Sequence, residues 1–409
     1  MEFKETKLEN GLTIIGEDMP SAKSLAMGFF VRTGARDETA EISGTSHFLE
    51  HMLFKGTPSR NAFDVNLTFD RMGAQYNAFT SEENTVYYGA VLPEFQTELL
   101  SLWSDLMRPS LRQEDFDTEK GVICEEINMY KDIPNFDVID NCRRNHFGHH
   151  PSGNSVLGTE DSVNALKREQ MQAYFDMRYS PENIVLCCAG KVNWDTFVAT
   201  ASEQCGHWKK RNASRTVEDF SGTGTITTMH NTTIQREHIC LIAAAPSAQS
   251  NQRYAASLLS YIVGDVTGSR LYWDLVDTAL CDSCDMEFEP LDGGGTFYTY
   301  ASCDPATSLQ VIDIIKKCFA KVKSGGVTEQ ELQSAKNKIA SSITLHGELP
   351  MGRLVPLGFG YIYRNEYKPL SEELKEINKI TANDINALLA DYPLEKLTIT
   401  GLGPCENLG

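Results

Sequence analysis

Near the start of the chain, apolar and polar positions follow the short period of strands. Residues 7–17 place an Asn10-Gly11 pair between apolar runs, the usual sign of a hairpin. Residues 24–32 (SLAMGFFVR) are rich in β-formers and predict a strand. The period then lengthens. Residues 46–54 are helical in pattern and are stopped by Gly56, and residues 63–72 predict a second short helix. Residues 75–92 return to strand-like composition. Residues 95–107 and 112–130 carry apolar positions at i, i+3, i+4 and i+7 and predict helices. Residues 184–190 (IVLCCAG) form a short, wholly apolar run, expected as a buried strand.

The same order recurs faintly in the second half. Residues 223–245 predict strands, 252–263 a helix, 296–303 a strand, 309–323 and 329–346 helices, and 397–401 a last apolar strand. Two α+β halves related by internal duplication are therefore expected. The polar stretch 209–224 is the expected linker. It divides the chain into domains 1–212 and 213–409.

Composition narrows the function. The 409 residues are 41% hydrophobic and 23% charged, enough apolar material for large cores and against general disorder. The net charge of −19 excludes phosphate-backbone binding as the main activity, so no nucleic-acid partner is expected. It also disfavours anionic membranes and suits basic peptides. The eleven cysteines are an odd number scattered over a long chain, unlike a disulfide framework. The start, MEFKETKL, has no apolar h-region, and no uncharged apolar run approaches a membrane span. A reducing cytoplasm is the simplest compartment. A chain in a periplasm or organelle matrix, its leader already removed, would read the same.

The chemistry concentrates in His47-Phe48-Leu49-Glu50-His51. On a helix, positions i and i+4 lie one above the other with i+3 beside them. Two imidazoles so placed can hold one metal ion, most often zinc. Glu50 shares that face and suits a general base toward water. A catalytic zinc needs a third protein ligand and an open fourth position. The segment 119–130 is helical in pattern and carries three acids, Glu119, Glu125 and Glu126. Glu119 and Glu126 share a face, two turns apart. A solvated acidic face is the ordinary fate of such a run, and only the His pair favours a ligand.

These residues resemble the zinc site of the inverted-zincin metallopeptidases, the family of pitrilysin, insulysin and the mitochondrial processing peptidase. Val31-Arg-Thr-Gly-Ala-Arg36, the run from Gly44 to Thr57, the run from Gly73 to Tyr88, and Ser180-Pro-Glu-Asn183 are all similar to family text. As a short two-domain chain it is similar to the processing peptidase β subunit. The resemblance implies an α+β fold of two homologous domains, each a mostly antiparallel sheet packed with helices. It implies one zinc per chain on His47, His51 and Glu126, since Glu126 fits the Val-Ile-x-x-Glu spacing better than Glu125. Glu50 would activate water, and Glu119 would support the site from behind the ligands. Asn77, Ala78, Phe79, Thr80 and Ser81 would lie on an edge strand that takes up peptide substrate as an added strand. The implied activity is zinc-dependent endopeptidase cleavage of extended or unfolded peptides, in a clamshell chamber formed by two short chains.

One departure stands out. Family members with a complete site also use an Arg and a Tyr seven residues apart, just after the Ser-Arg-Leu of the second domain. Here Ser269-Arg270-Leu271 is followed by Val276 near the expected Arg, with no Tyr at the right distance. The expected partner is a second chain, either another copy or a homologous subunit lacking the zinc motif. The rivals are a non-catalytic subunit of such a complex and an unrelated zinc hydrolase of small amides. Cys281-x-x-Cys284 lacks a second CxxC and is expected to be structural. Cys187-Cys188 reads as core packing, His149-His150 as loop, and Gly293-Gly294-Gly295 as a turn.

Overall fold

The computed structural model describes residues 1–408. Among the described residues, two sheets form. The first contains β1 (Glu2–Lys7), β2 (Thr13–Asp18), β3 (Leu25–Val31), β4 (Gln75–Thr80), β5 (Thr85–Val91) and β6 (Ile184–Gly190). Its spatial order is β1-β2-β6-β3-β5-β4. The second contains β7 (Ile226–His230), β8 (Glu237–Ala245), β9 (Cys281–Pro290), β10 (Gly295–Cys303) and β11 (Thr398–Gly403), in the order β7-β11-β8-β10-β9. Without β1, the two orders are the same when β2 is matched to β7 and each later strand to its counterpart. The pairing sense repeats as well. The only parallel pairs among the described strands are β2–β6 and β7–β11. The expected duplication of two mostly antiparallel α+β halves is thus present in the topology.

Most predicted elements form. The Asn10-Gly11 turn closes a hairpin with Gly11 at φ 91°, but the first strand lies earlier than expected, pairing Lys7 with Thr13. Strand β9 was not anticipated. Its Cys284, Met286 and Phe288 alternate with Asp285, Glu287 and Glu289, a regular period of two beneath a sequence that draws the eye to its Cys-x-x-Cys spacing. Both cysteines are buried and unpaired in disulfides.

The helices that matter for the site are α1 (Thr45–Leu53), α2 (Ala62–Met72), α3 (Gln96–Leu106), α4 (Gln113–Lys131) and α5 (Pro134–Phe147). The chain packs as two compact units that interleave in sequence rather than dividing once near residue 212. One comprises Met1–Ile127, Asn154–Thr216 and Thr344–Leu370. The other comprises Asn128–Gly153, Val217–Ile343 and residues 371–408. Helix α5 belongs with the second sheet. Its Val138 and Cys142 pack on Cys240, Ile242 and Leu402, and Arg143 holds Glu289 through two bonds of 2.6 and 2.8 Å. Conversely, the Pro350–Arg364 helix belongs with the first sheet, setting Leu354, Leu357 and Tyr361 against Ala26, Phe30, Val185 and Cys187. This explains the wholly apolar runs at β3 and β6. Strands covered on both faces lose their polar alternation. The contact is close: a Cβ on Gly358 would stand 2.4 Å from the Phe30 ring.

A buried ion pair ties this helix down. Arg353 donates from Nε and Nη2 to Glu17 Oε2 at 3.0 and 2.5 Å, with both side chains almost fully enclosed. Removing one partner leaves an uncompensated charge, whereas replacing both with apolar residues is far milder. Arg353→Ala is expected to cost about 3–5 kcal/mol in urea unfolding. Glu17→Met combined with Arg353→Met should recover most of that loss.

Candidate metal centre

Helix α1 has two faces. Phe48, Leu49, Met52 and Leu53 are fully buried, while His47, Glu50 and His51 share the other side. The Phe48 ring stacks on Phe116 of α4, with centroids 4.8 Å apart and planes within 8°. On α4 the buried positions Phe116, Glu119, Ile123 and Ile127 follow helical spacing. The aromatic stack therefore aligns the acidic side of α4 with the histidines of α1.

The side chains meet at short range. His51 Nδ1 lies 2.9 Å from Glu119 Oε1, and its Nε2 lies 3.3 Å from Glu126 Oε2. His47 Nε2 stands 3.7 Å from Glu126 Oε1. One ligand atom from each of His47, His51 and Glu126 falls within 4.8 Å of the others, and no further cluster of this kind occurs among the described residues. Glu125 is exposed, so the geometry separates it from Glu126. Atoms that ligate one zinc at 2.0–2.2 Å in a tetrahedron stand roughly 3.3–3.6 Å apart. The His51–Glu126 separation of 3.3 Å matches that edge, the His47–Glu126 separation of 3.7 Å lies just outside it, and two His with one Glu leave a fourth position open. These residues fit zinc.

The electrostatics set the two histidines apart. Burial, and then the neighbouring His51, lower the His47 pKa to about 4, so its ring is neutral with a lone pair to offer. Burial also opposes charge on His51. Hydrogen bonds to Glu119 and Glu126 outweigh it and raise the pKa of the metal-free chain to about 9. His51 Nδ1–H donates to Glu119 and Nε2 faces Glu126, so loss of the Nε2 proton to a metal would leave the tautomer a ligand needs. Lys55 Nζ pairs its charge with the other Glu119 oxygen at 2.5 Å. Burial works against the Glu119 charge, but the bonds to His51 and Lys55 prevail and lower its pKa.

Glu50 is raised in pKa by burial, partly offset by the hydroxyl of Thr80, which donates to its Oε2 at 2.6 Å. Thr80 ends β4, an edge strand paired only with β5. Asn77, Ala78, Phe79 and Thr80 all lie on β4. Ala78 and Thr80 face α1, while Phe79 points oppositely toward Tyr88 and Phe359. Ser81, expected on the strand, is instead the first residue of the turn, where its hydroxyl accepts from the Asn84 amide at 3.1 Å. Lys55 was missed by sequence reasoning, although its place four residues after His51 is a usable signal. Val276 ends a π-helical turn, Tyr272–Val276, and packs against the core of its own unit.

Residues 13–160 match the family described as Insulinase (Peptidase family M16), and residues 165–339 match the Peptidase M16 inactive domain. A Mycobacterium leprae protein named as a zinc protease, ML0855, is 31% identical over 98% of this chain and 91% of its own length. The chain belongs to peptidase family M16. Another M16 relative, the Bacillus subtilis protein YmxG, also named as a zinc protease, is 30% identical over 99% of both chains. A protease from Helicobacter pylori shares the fold at a TM-score of 0.90 and 20% identity, covering 98% of this chain and 99% of that one. An M16-like peptidase from Alicyclobacillus acidocaldarius does so at 0.86 and 21%, covering 98% of each. The resemblance to the insulysin family is borne out, and the chain is zinc-protease-like. No helix among the described residues is long and apolar enough to cross a membrane.

Groups that orient a metal-ligating histidine commonly contribute ten- to a hundredfold in metal affinity. Glu119→Gln is therefore expected to weaken zinc binding by about that factor in chelator competition. Glu125→Gln should leave the affinity unchanged. A comparable loss at Glu125 would overturn the choice of Glu126 as third ligand.

Proposed function

We propose that this M16 chain is a zinc-dependent endopeptidase acting on extended or unfolded peptides. The observation that carries it is the convergence of His47, His51 and Glu126 within 4.8 Å, beside a carboxylate tied to the end of an edge strand. Zinc held by His47, His51 and Glu126 would supply Lewis acidity toward water and the peptide carbonyl. The free edge of β4 offers main-chain hydrogen bonds to any extended peptide and places its backbone beside Thr80. Glu50 accepts a proton as water attacks the carbonyl carbon, and returns it to the amine as the C–N bond breaks. Burial raises its pKa toward the range suited to such a shuttle. The Thr80 hydroxyl leaves one Glu50 oxygen free to face water. Glu119 keeps His51 in the ligating tautomer.

A specific observation favours dependence on a partner. Val276 stands where the resemblance calls for an arginine, and another copy would carry the same valine, so a homologous subunit lacking the zinc motif would complete the chamber. Failing that, the chain would be the non-catalytic member of such a complex. The unpaired cysteines suit a reducing compartment such as the cytoplasm.

Glu50→Gln decides the central point. Purified wild type and variant should each bind about one zinc, because Glu50 is not a ligand. Peptide digests followed by mass spectrometry should show cleavage by wild type, slowed about 10²–10⁴-fold in the variant. Equal cleavage by both would remove Glu50 from the chemistry. Zinc in both with cleavage by neither would favour the partner-dependent form.

A further inference from the structure

The first turn of α1 carries His47 yet has no ordinary cap. Its N-cap is Gly44, at φ 90°, and a Cβ there would stand 2.7 Å from the Leu157 carbonyl oxygen. The opening N–H groups of a helix need acceptors from outside it. Here they come from Glu38. Gly44 N–H donates to its Oε2 at 2.6 Å and Ser46 N–H donates to its Oε1 at 2.6 Å. The carboxyl is buried.

Glu38 is itself held in place. The Asn154 amide donates to the backbone carbonyls of Ala35 and Glu38 at 2.9 and 3.2 Å. The adjacent Asp37 is enclosed between Arg178 and Arg215 at 2.8 and 2.6 Å. The Ser46 hydroxyl meets Tyr174 Oη at 2.7 Å, and Tyr174 meets Thr33 Oγ1 at 2.8 Å.

The two histidines are secured differently. His51 is aimed by Glu119 through its own ring. His47 Nδ1 is buried with no hydrogen-bond partner, so no such bond at that atom aims the ring. Its position follows from the backbone that bears it, and Ser46 is the preceding residue. One hydrogen bond to a helix terminus would leave the turn free to pivot about it. Two bonds from one rigid carboxylate fix both its height and its rotation.

We propose that Glu38 is the positioning residue for His47, setting the first turn of α1 through Gly44 and Ser46 and so placing the imidazole against Glu126. The proposal builds on His47 as a metal ligand.

The test uses the full-length chain and zinc alone as the probe, with affinity from chelator competition and stability from thermal unfolding. Glu38→Gln keeps the shape but can accept from only one of the two amides. Glu38→Asp, run beside it, keeps the carboxyl group but is too short to span both. The control is Asn61→Ala, which removes an ordinary cap from α2, where Asn61 accepts from the Asp64 amide at 3.0 Å. All three should unfold at lower temperature. Zinc binding should weaken about tenfold in both Glu38 variants and stay within twofold of wild type in Asn61→Ala, on the scale usual for groups that orient a ligand. Glu38 variants that lose stability yet bind zinc within twofold of wild type would overturn the proposal and leave a purely structural cap. A wild type that takes up no zinc would overturn the metal site and this proposal together. The zinc readout decides the question whether or not the wild type cleaves peptide.

Discussion

Two helices distant in sequence must meet at a fixed rotation for this site to exist. His51 and Glu119 are 68 residues apart in the chain, yet their bonded atoms lie 2.9 Å from each other. Helix α1 spans only nine residues, too short to be stable by itself in water. Its existence and its aim therefore come from outside. The apolar face buries Phe48 against Phe116, and the polar face is then committed toward α4. Everything chemical follows from that seating: the carboxylate on His51, the spacing to Glu126, and the contact of Glu50 with the end of β4.

The motif chemistry was legible in the sequence because it is local. His47, Glu50 and His51 fall within five consecutive residues, so helical spacing alone puts them together. Glu119 and Glu126 were legible as a pair on one face of α4, and the Val-Ile-x-x-Glu resemblance already favoured Glu126 over Glu125, which is exposed. The strands were legible wherever apolar period and length agreed, as at β3 and β6. What escaped was non-local. Nothing in residues 350–364 says which sheet their apolar face will cover, and the same is true of α5. Lys55 and Glu38 escaped because a charged residue outside a regular element reads as solvated until its partner is known. Ser81 was assigned to β4 by continuity, but its hydroxyl serves the turn, a competition between side chain and ladder that strand patterning does not register.

The duplication shows how one scaffold can be kept while its chemistry is not. Both sheets share a strand order and the same placement of a single parallel pair. Between β3 and β4 the first copy carries α1 with its imidazoles. Between β8 and β9 the second copy carries the Arg253–Gly264 helix, whose buried positions are largely Ala, Leu, Ile and Val. With no ligand to present, that helix is free to be apolar on most sides and to serve packing alone.

The exchange of helices also has a consequence in time. All strands of the first sheet have been made once Gly190 is added, but the helix that covers one face of β3 and β6 ends at Arg364. At common rates of synthesis, that interval is on the order of ten to thirty seconds. Throughout it, Ala26, Phe30, Val185 and Cys187 lack their cover, and the nascent chain carries an exposed apolar sheet face. The N-terminal half cannot finish folding on the ribosome ahead of the C-terminal half. An apolar sheet face left uncovered for that long is the kind of surface on which chaperones act and aggregation starts.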